Sequence, residues 1–229
     1  MRPPSTPPSP PAPPRPPGRT ALLVAAVLAV LAAVVTVCVA ARWGPLLSFD
    51  REVADALHRR AVAEPALTRT NRILTDWFWD PWTMRLLTAV AVVLLWLRNE
   101  RRLALWVTAT SVLGAAVSQG LKWAVGRERP QWPDPVDSAH FAAYPSGHAM
   151  TATVTCGLLL WLLRRRGVGP RVWRTAVVIA AVSVAGVGFT RLWLGVHWGS
   201  DVLGGWLLGG CLVALAVASY DHPALSRRR

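Results

Sequence analysis

The sequence is poor in several residue types, and each scarcity narrows what the chain can be. Of its 229 residues only 12 are acidic, against 25 that are basic, and the net charge is +13. Cysteine occurs three times, as Cys38, Cys156 and Cys211, each time within an apolar stretch. Cysteines in such surroundings are typical packing residues, so the sequence indicates neither a disulfide framework nor a cysteine metal site.

Lysine is almost absent, because arginine supplies nearly every cation. Lys122 is the only lysine in the chain. Composition alone would have supplied an arginine there, so this position stands out. The arginine excess does not indicate nucleic-acid binding, since no basic face with aromatic or groove-reading elements accompanies it. It is typical of the short loops that flank membrane spans.

Apolar sequence is what the chain has in quantity. Hydrophobic residues make up 53% of it, and its mean hydropathy is +0.35. A helix needs about 20 apolar residues to cross a bilayer. Six runs approach or reach this length, and they cover 21–41, 82–97, 103–121, 148–163, 175–190 and 200–219. The sequence therefore predicts an all-α fold, a bundle of six transmembrane helices.

Polar segments flank and interrupt the predicted bundle. Residues 1–19 are mostly proline and are expected to form a disordered tail, and 221–229 form a short basic tail. The membrane domain is therefore expected to cover 20–220. Between the first two spans, residues 43–81 carry apolar side chains at near-helical spacing among charges. This pattern predicts short amphipathic helices that lie at the membrane surface.

Arginines in the short connections predict the orientation. The N-terminal tail, the turn 98–102, the turn 164–174 and the C terminus contain 3, 3, 5 and 3 arginines. Six spans place all four segments on one side, which the positive-inside rule assigns to the cytoplasm. We therefore predict a multi-pass protein of the plasma membrane with both termini in the cytoplasm.

Three polar clusters interrupt the apolar sequence, and this topology places all of them on the extracytoplasmic side. They are Lys-x6-Arg-Pro at 122–130, Pro-Ser-Gly-His at 145–148 and Arg-x5-His-x3-Asp at 191–201. Each lies at the end of an apolar run. Cations, histidines, a carboxylate and a Ser-Gly turn are together the components of a site that handles phosphate.

The cations and the Ser-Gly turn suit phosphate binding. Lys122 offers a compact charge, whereas Arg129 and Arg191 offer planar, bidentate donors. Ser146 is a good cap for the helix that follows, and Gly147 lets the backbone approach a ligand closely, so that amide groups at the helix start point at an anion. Each residue alone is an ordinary membrane-edge residue. Their grouping on one predicted face favours a phosphate site.

Two histidines suit nucleophilic chemistry at phosphorus. His197 and Asp201 are four residues apart and share one face of a helix. A carboxylate that accepts from one imidazole nitrogen leaves the other nitrogen free to attack. His148 comes from a different helix end and can protonate the leaving oxygen. The alternative use of two histidines and a carboxylate is a metal site, but the neighbouring cations would repel a metal ion, so no metal and no cofactor is expected.

The remaining histidines and the glycines of the last span are expected to have structural roles and not chemical ones. Three histidines have no comparable neighbours and are interpreted as surface residues: His58, His140 and His222. The last apolar run carries four glycines in two pairs, Gly204, Gly205, Gly209 and Gly210. Glycines at such spacing predict close packing between helices.

The three clusters, in this order and at the ends of apolar runs, resemble the three-part signature of the type 2 phosphatidic acid phosphatase superfamily. That superfamily includes integral-membrane lipid phosphatases, some of them bacterial, and soluble vanadium haloperoxidases. The motif region covers 122–201, and the six-span layout extends the resemblance to about 21–219. Thr190 stands where the family usually has serine before the arginine, and it keeps the hydroxyl group.

The resemblance implies a role for each motif residue. His197 would be the nucleophile, Asp201 its orienting partner, and His148 the general acid that later acts as a base. The phosphoryl oxygens would be held by Lys122, Arg129, Ser146, Gly147 and Arg191. The resemblance implies no metal for the phosphatases of this family.

The function expected from this is a metal-independent membrane phosphatase that works through a phosphohistidine. Its substrate partner would be a lipid phosphate or diphosphate in the bilayer: phosphatidic acid, phosphatidylglycerol phosphate or polyprenyl diphosphate. One alternative is a lipid phosphotransferase that uses the same site, and another is a non-catalytic transporter or scaffold. A haloperoxidase is disfavoured, because it needs vanadate and usually a soluble helical bundle.

Overall fold

The computed structural model describes residues 17–220, and every regular element in this range is helical. The α-helices are α1 (Pro17–Ala40), α2 (Gly44–Ala63), α3 (Pro65–Ile73), α4 (Pro81–Leu97), α5 (Arg101–Val125), α6 (Gly147–Arg165), α7 (Pro170–Trp193) and α8 (Gly199–Tyr220). A π-helical turn, Leu74–Phe78, lies between α3 and α4. The all-α prediction is confirmed for these residues. The two predicted tails lie outside them, except that 17–19 already belong to α1.

All six predicted spans coincide with long helices, but one differs from the others. Five helical stretches are long and apolar enough to cross a membrane, and they are Arg19–Ala40, Pro65–Leu97, Arg101–Val125, Pro170–Trp193 and Gly199–Tyr220. α6 is not among them. It has 19 residues, carries His148 near one end and ends in two arginines, which lowers the apolar content available for a span.

α6 lies in the middle of the bundle. It packs against α4, α5, α7 and α8. Ala149, Ala152 and Leu158 on this helix are almost completely buried. A helix enclosed by other helices buries its surface against protein. Its sequence can therefore be less apolar than that of a lipid-facing helix. The outer helices α1 and α4 show the opposite pattern, with many exposed valines and leucines such as Val30 and Leu86.

Glycines in α8 allow this central helix to come close. A Cβ atom on Gly205 would lie 2.7 Å from the backbone oxygen of Ser146, and one on Gly209 would lie 2.9 Å from Cβ of Thr153. Both distances are too short for a real contact, so only glycine fits. The predicted close packing is confirmed. It holds the Pro-Ser-Gly-His turn against the first turns of α8.

The connection between α1 and α4 contains the predicted amphipathic helices, α2 and α3. The buried residues of α2 are mostly small or polar: Asp50, Ala54, His58 and Ala61. Two of its large apolar side chains are exposed, Phe49 at 60% and Val62 at 42%. Exposed apolar side chains on a surface helix suit contact with lipid. The inward face of α2 carries the polar residues Asp50 and His58.

The interpretation of His58 as a surface residue was wrong. Its side chain is 6% exposed, lies 3.0 Å from a carboxylate oxygen of Asp134 and stacks on the ring of Trp132 at a centroid distance of 3.9 Å. These partners come from the loop between α5 and α6, so no local pattern revealed them. His140 is exposed, as predicted, and His222 lies outside the described residues.

Candidate active site

Four helix ends meet at one end of the bundle. Lys122 lies in the last turn of α5, and Arg191 lies in the last turn of α7. His148 lies in the first turn of α6, and Asp201 in the first turn of α8. Consecutive helices that run in opposite directions bring these four ends together.

A cavity of about 350 Å³ lies among these helix ends. Six of the eight predicted site residues line it: Lys122, Arg129, Gly147, His148, Arg191 and His197. The other two, Ser146 and Asp201, are not part of its lining and are completely buried. Three stretches that are far apart in the chain therefore contribute to one space.

His197 lies in the turn between α7 and α8, with its side chain 2% exposed. Its Nε2 atom lies 3.1 Å from Nη1 of Arg129, and its Nδ1 atom lies 3.3 Å from Oδ2 of Asp201. A guanidinium group can only donate, so Nε2 accepts from Arg129 and carries the lone pair. The ring proton is therefore on Nδ1, which donates to Asp201. In this tautomer Nε2 carries the lone pair that an attack on phosphorus would use.

The sequence had suggested that His197 and Asp201 share one helix, and this was wrong. α8 begins at Gly199, so His197 precedes the helix and Asp201 lies in its first turn. Oδ2 of Asp201 accepts from the backbone amide of Trp198 at 2.8 Å. The carboxylate therefore stabilises the helix start and orients the imidazole at the same time.

Arg127 holds the other oxygen of Asp201. Its Nη1 atom donates to Oδ1 of Asp201 at 2.7 Å, and its Nη2 atom donates to Oδ2 of Asp50 at 2.7 Å. Asp50 also accepts from the backbone amide of Ser200 at 2.9 Å. Both carboxylates are buried, so each needs this guanidinium as a partner. The inward polar face of α2 is thus connected to the His197–Asp201 pair.

Sequence reasoning missed both Arg127 and Asp50. Arg127 was not among the predicted site residues, although it lies inside the first motif between Lys122 and Arg129. That position was a usable signal. Asp50 gave none, because its guanidinium partner is 77 residues away in the chain.

Backbone carbonyl groups orient two of the cations. Lys122 Nζ donates to the carbonyl oxygen of Ala142 at 2.6 Å. Arg129 donates from Nε to Phe141 O at 2.9 Å and from Nη2 to His140 O at 3.0 Å. Three consecutive carbonyl groups of the loop therefore hold Lys122 and Arg129 at the cavity.

Arg191 is the most deeply buried cation of the site, at 4% exposure. Its Nη1 atom donates to Oγ1 of Thr75, in the π-helical turn, at 3.2 Å. Its Nε atom has no hydrogen-bond partner within residues 17–220. An unpaired buried donor is costly. A bound anion in the cavity would supply the missing acceptor.

Ser146 differs from the other predicted phosphate ligands. Its Oγ atom accepts from the amide of Ala149 at 3.5 Å, and its own amide donates to the carbonyl oxygen of Asp201 at 2.9 Å. The structure therefore places Ser146 as a cap of α6 that joins this helix to α8. Gly147 and His148, which follow it, are the members of this motif that reach the cavity.

The surroundings keep His197 uncharged. Burial holds the pKa of His197 well below its ordinary value, and the nearby cations Arg129, Arg191 and Lys122 lower it further. Burial also lowers the pKa of Arg129, although Asp201 opposes this. A neutral imidazole among fixed cations is suited to attack an anion that those cations have drawn in.

One solved structure shares this architecture. It is the crystal structure of a transmembrane PAP2-type phosphatidylglycerolphosphate phosphatase from Bacillus subtilis, with a TM-score of 0.75 and 22% sequence identity. The match covers 90% of this chain and 98% of the other. At this identity the likeness shows a common fold.

Two curated relatives match part of the sequence. One is an undecaprenyl-diphosphatase from Sulfolobus acidocaldarius, 28% identical over 138 residues, which are 56% of this chain and 60% of the relative. The other is phosphatidylglycerophosphatase B from Bacillus subtilis, 33% identical over 103 residues, which are 44% of this chain and 50% of the relative. The chain thus matches between half and three fifths of these relatives' lengths.

The family assignment comes from the sequence profile of the PAP2 superfamily. This profile matches residues 103–223, more than half of the chain, and the match includes all three motifs. The chain therefore belongs to the PAP2 superfamily.

Proposed function

We propose that this protein is an integral-membrane phosphatase that hydrolyses lipid phosphates or diphosphates without a metal ion. The observation that carries the proposal is the shared cavity, which His197 lines together with Lys122, Arg129 and Arg191. Three fixed cations can neutralise a phosphoryl group and hold it for attack. Phosphatidic acid, phosphatidylglycerol phosphate and polyprenyl diphosphate are the candidate substrates.

In the first step, Nε2 of His197 attacks phosphorus with its lone pair and forms a P–N bond. The P–O bond to the lipid breaks on the opposite side, and its electron pair stays on the leaving oxygen. That oxygen takes a proton from His148. The Nδ1 proton stays in its hydrogen bond to Asp201, which stabilises the positive charge on the phosphorylated imidazole.

In the second step, water hydrolyses the phosphohistidine. The oxygen of a water molecule attacks phosphorus while His148, now neutral, takes the water proton. The electrons of the P–N bond return to Nε2, and inorganic phosphate is released. Both histidines are then in their starting states.

An apolar cavity supports a lipid substrate. It has a volume of about 330 Å³ and lies between α4, α5 and α6. It shares Arg85, Ala115 and Thr151 with the phosphate cavity, so the two spaces adjoin. A headgroup in the polar cavity could extend its hydrocarbon chain directly into this groove.

The proposed topology has six spans, which are the five apolar helical stretches and α6 in addition. Burial of α6 within the bundle explains how a helix of lower hydropathy crosses the bilayer. By the positive-inside rule, the arginine-rich turns favour cytoplasmic termini and a cavity on the extracytoplasmic side of the plasma membrane.

The arrangement does not favour metal catalysis. Within residues 17–220 no group of three His, Cys, Asp or Glu side chains is placed to hold a metal ion. The cations that line the cavity would also repel one. Activity is therefore expected to persist in EDTA, and vanadate, which resembles phosphate in its transition state, is expected to inhibit.

A panel of lipid phosphates and diphosphates, assayed with purified protein in detergent, tests the proposal. Wild-type protein is expected to release phosphate, whereas His197→Ala is expected to release none and to remain folded and inserted. Arg59→Gln is a matched control, because Arg59 is exposed and lies outside the cavity lining. Undiminished turnover by His197→Ala would refute the nucleophile assignment.

Two alternatives give different results in the same assay. A lipid phosphotransferase would perform the first step and release phosphate only slowly, until an acceptor alcohol is added. A transporter or scaffold would release none from any lipid. Strict dependence on a divalent ion would revive the metal interpretation.

A further inference from the structure

Arg85 stands at the junction of the two cavities. It lines the polar cavity together with Lys122 and Arg191, and it also lines the apolar groove. It belongs to the first turns of α4, and its side chain is exposed. A lipid that occupies both spaces would pass this guanidinium at the point where its headgroup joins its tail.

The charge of Arg85 is not neutralised by the protein. Within residues 17–220 no aspartate or glutamate pairs with its guanidinium group, which instead lies over the ring of Trp82, with Cζ 5.2 Å from the ring centroid. Asp80 also lines the polar cavity, but its carboxylate accepts from the amide of Trp82 at 2.6 Å and caps α4. A stacked cation without a carboxylate, beside a phosphate cavity, suits an anionic ligand.

An ordinary membrane-edge arginine is the competing interpretation of Arg85. Such a residue extends its side chain toward the headgroup region and has no required partner. Arg59 is of this kind, because it is exposed and lines neither cavity. Arg85 differs in its position, since it borders the space that the reacting phosphate would occupy.

Resting on the proposed function, we infer that Arg85 binds a second anionic phosphate of the substrate, the one between the reacting phosphate and the hydrocarbon. Lys122, Arg129 and Arg191 would hold the outer phosphoryl group, which is transferred to His197. Arg85 would hold the inner phosphate. The preferred substrates would then carry two phosphates in series, whereas phosphatidic acid has no inner phosphate for Arg85 to bind.

Two kinds of lipid carry such an inner phosphate, and Arg85 would act differently on each. In a lipid diphosphate the inner phosphate is the leaving group and gains negative charge as the P–O bond breaks. Arg85 then stabilises the transition state and raises kcat. In phosphatidylglycerol phosphate the leaving oxygen belongs to glycerol, and the inner phosphodiester keeps its charge. Arg85 then contributes binding and lowers KM.

The experiment compares Arg85→Gln, Arg85→Lys and the control Arg59→Gln on polyprenyl diphosphate, phosphatidylglycerol phosphate and phosphatidic acid. Loss of one charged hydrogen bond is expected to lower kcat/KM about 10-fold or more for Arg85→Gln on the two-phosphate lipids. On phosphatidic acid, kcat/KM of Arg85→Gln is expected to change by no more than about twofold, because this lipid has no inner phosphate for Arg85 to bind. Arg85→Lys is expected to restore part of the loss, because it keeps the charge.

If Arg85→Gln lowers kcat on polyprenyl diphosphate, Arg85 stabilises the leaving group of the diphosphate. If Arg85→Gln raises KM on phosphatidylglycerol phosphate, Arg85 binds the inner phosphodiester of that lipid. An equal loss on all three lipids would overturn the inference, because it would show a general structural effect. No loss on any lipid would overturn it as well.

Binding measurements separate this inference from the proposed function. They use the same three lipids with His197→Ala protein, with and without Arg85→Gln, so they need no turnover. Weaker binding of only the two-phosphate lipids on loss of Arg85 supports the site even if wild-type protein proves inactive. Equal binding of these lipids with and without Arg85 contradicts it even if wild-type protein is an active phosphatase.

Discussion

Arg127 and Asp201 are in direct contact, with Nη1 of the guanidinium 2.7 Å from Oδ1 of the carboxylate. The same guanidinium contacts Asp50 on α2. Asp201 in turn accepts from the ring of His197. The surface helix α2 and the candidate nucleophile are therefore joined through one arginine and two buried carboxylates.

Replacing Arg127 is expected to impair both stability and turnover. Arg127→Gln leaves two buried carboxylates without their cation, which costs about 3–5 kcal/mol. Asp201 would lose its orientation, so kcat is expected to fall at least about 10-fold with a smaller change in KM. Thermal unfolding and steady-state kinetics measure the two effects. Arg51→Gln, which removes an exposed cation one residue from Asp50, is the control.

A second substitution removes the charge of Asp50 and leaves the contact between Arg127 and Asp201 in place. Asp50→Asn keeps an acceptor for Ser200 and removes the carboxylate charge from Arg127. It is expected to lower kcat less than Arg127→Gln does, because the contact between Arg127 and Asp201 remains. A larger loss of kcat for Asp50→Asn than for Arg127→Gln would contradict the proposed connection.

The pKa of His197 predicts how stability depends on pH. The folded protein keeps the ring neutral well below the ordinary pKa of 6.5, whereas the unfolded chain takes up a proton near that pH. The free energy of unfolding therefore loses up to about 1.4 kcal/mol per pH unit as the pH falls below 6.5. Above that pH this residue contributes no slope.

His197→Asn tests this slope, because asparagine does not titrate. Unfolding of both proteins is followed in the same detergent between pH 4 and pH 8. The variant is expected to gain stability relative to wild type as the pH falls. Parallel curves over the whole range would show that the folded protein does not keep His197 neutral.

Gly205 is expected to tolerate no side chain. The Cβ atom of Gly205→Ala would meet the backbone oxygen of Ser146, which belongs to the turn before α6 and has little room to shift. The variant should unfold at a lower temperature and turn over more slowly, because the turn that carries His148 is displaced. Overpacking of this kind costs about 1–3 kcal/mol.

Gly120→Ala is the matched control for this prediction. Gly120 lies inside α5, and a Cβ atom there would meet nothing within 4 Å. Alanine is favoured over glycine inside a helix by up to about 1 kcal/mol. This variant is therefore expected to be as stable as wild type or slightly more stable. Equal Tm values for the two variants would show that helix packing does not restrict residue 205.

The proposed six-span topology predicts which loops are accessible from outside the cell. In a background without the three native cysteines, Ser138→Cys is expected to react with a membrane-impermeant maleimide in intact cells. Asn99→Cys and Gly167→Cys are expected to react only after permeabilisation. If α6 did not cross the bilayer, residues 138 and 167, which flank it, would be labelled from the same side.

The sequence by itself determined the helices and the order of the motifs. Apolar runs and the polar residues that end them are local features, so α1, α4, α5, α7 and α8 could be predicted from them. The spacing of Lys122, Arg129, His148, Arg191 and His197 along the chain also indicated that they belong to one site. Alternation of long helices then placed their ends together.

Only the tertiary structure decided which side chains meet. The contact of Arg127 with Asp50, the burial of His58 against Trp132, and the hydrogen bond from the amide of Ser146 to Asp201 all join segments that no local spacing relates. The tertiary structure also decided the central position of α6, because the neighbouring helices bury this helix of modest hydropathy. The physical reason is the same in each case: burial and hydrogen bonding depend on the partner, and the partner lies elsewhere in the chain.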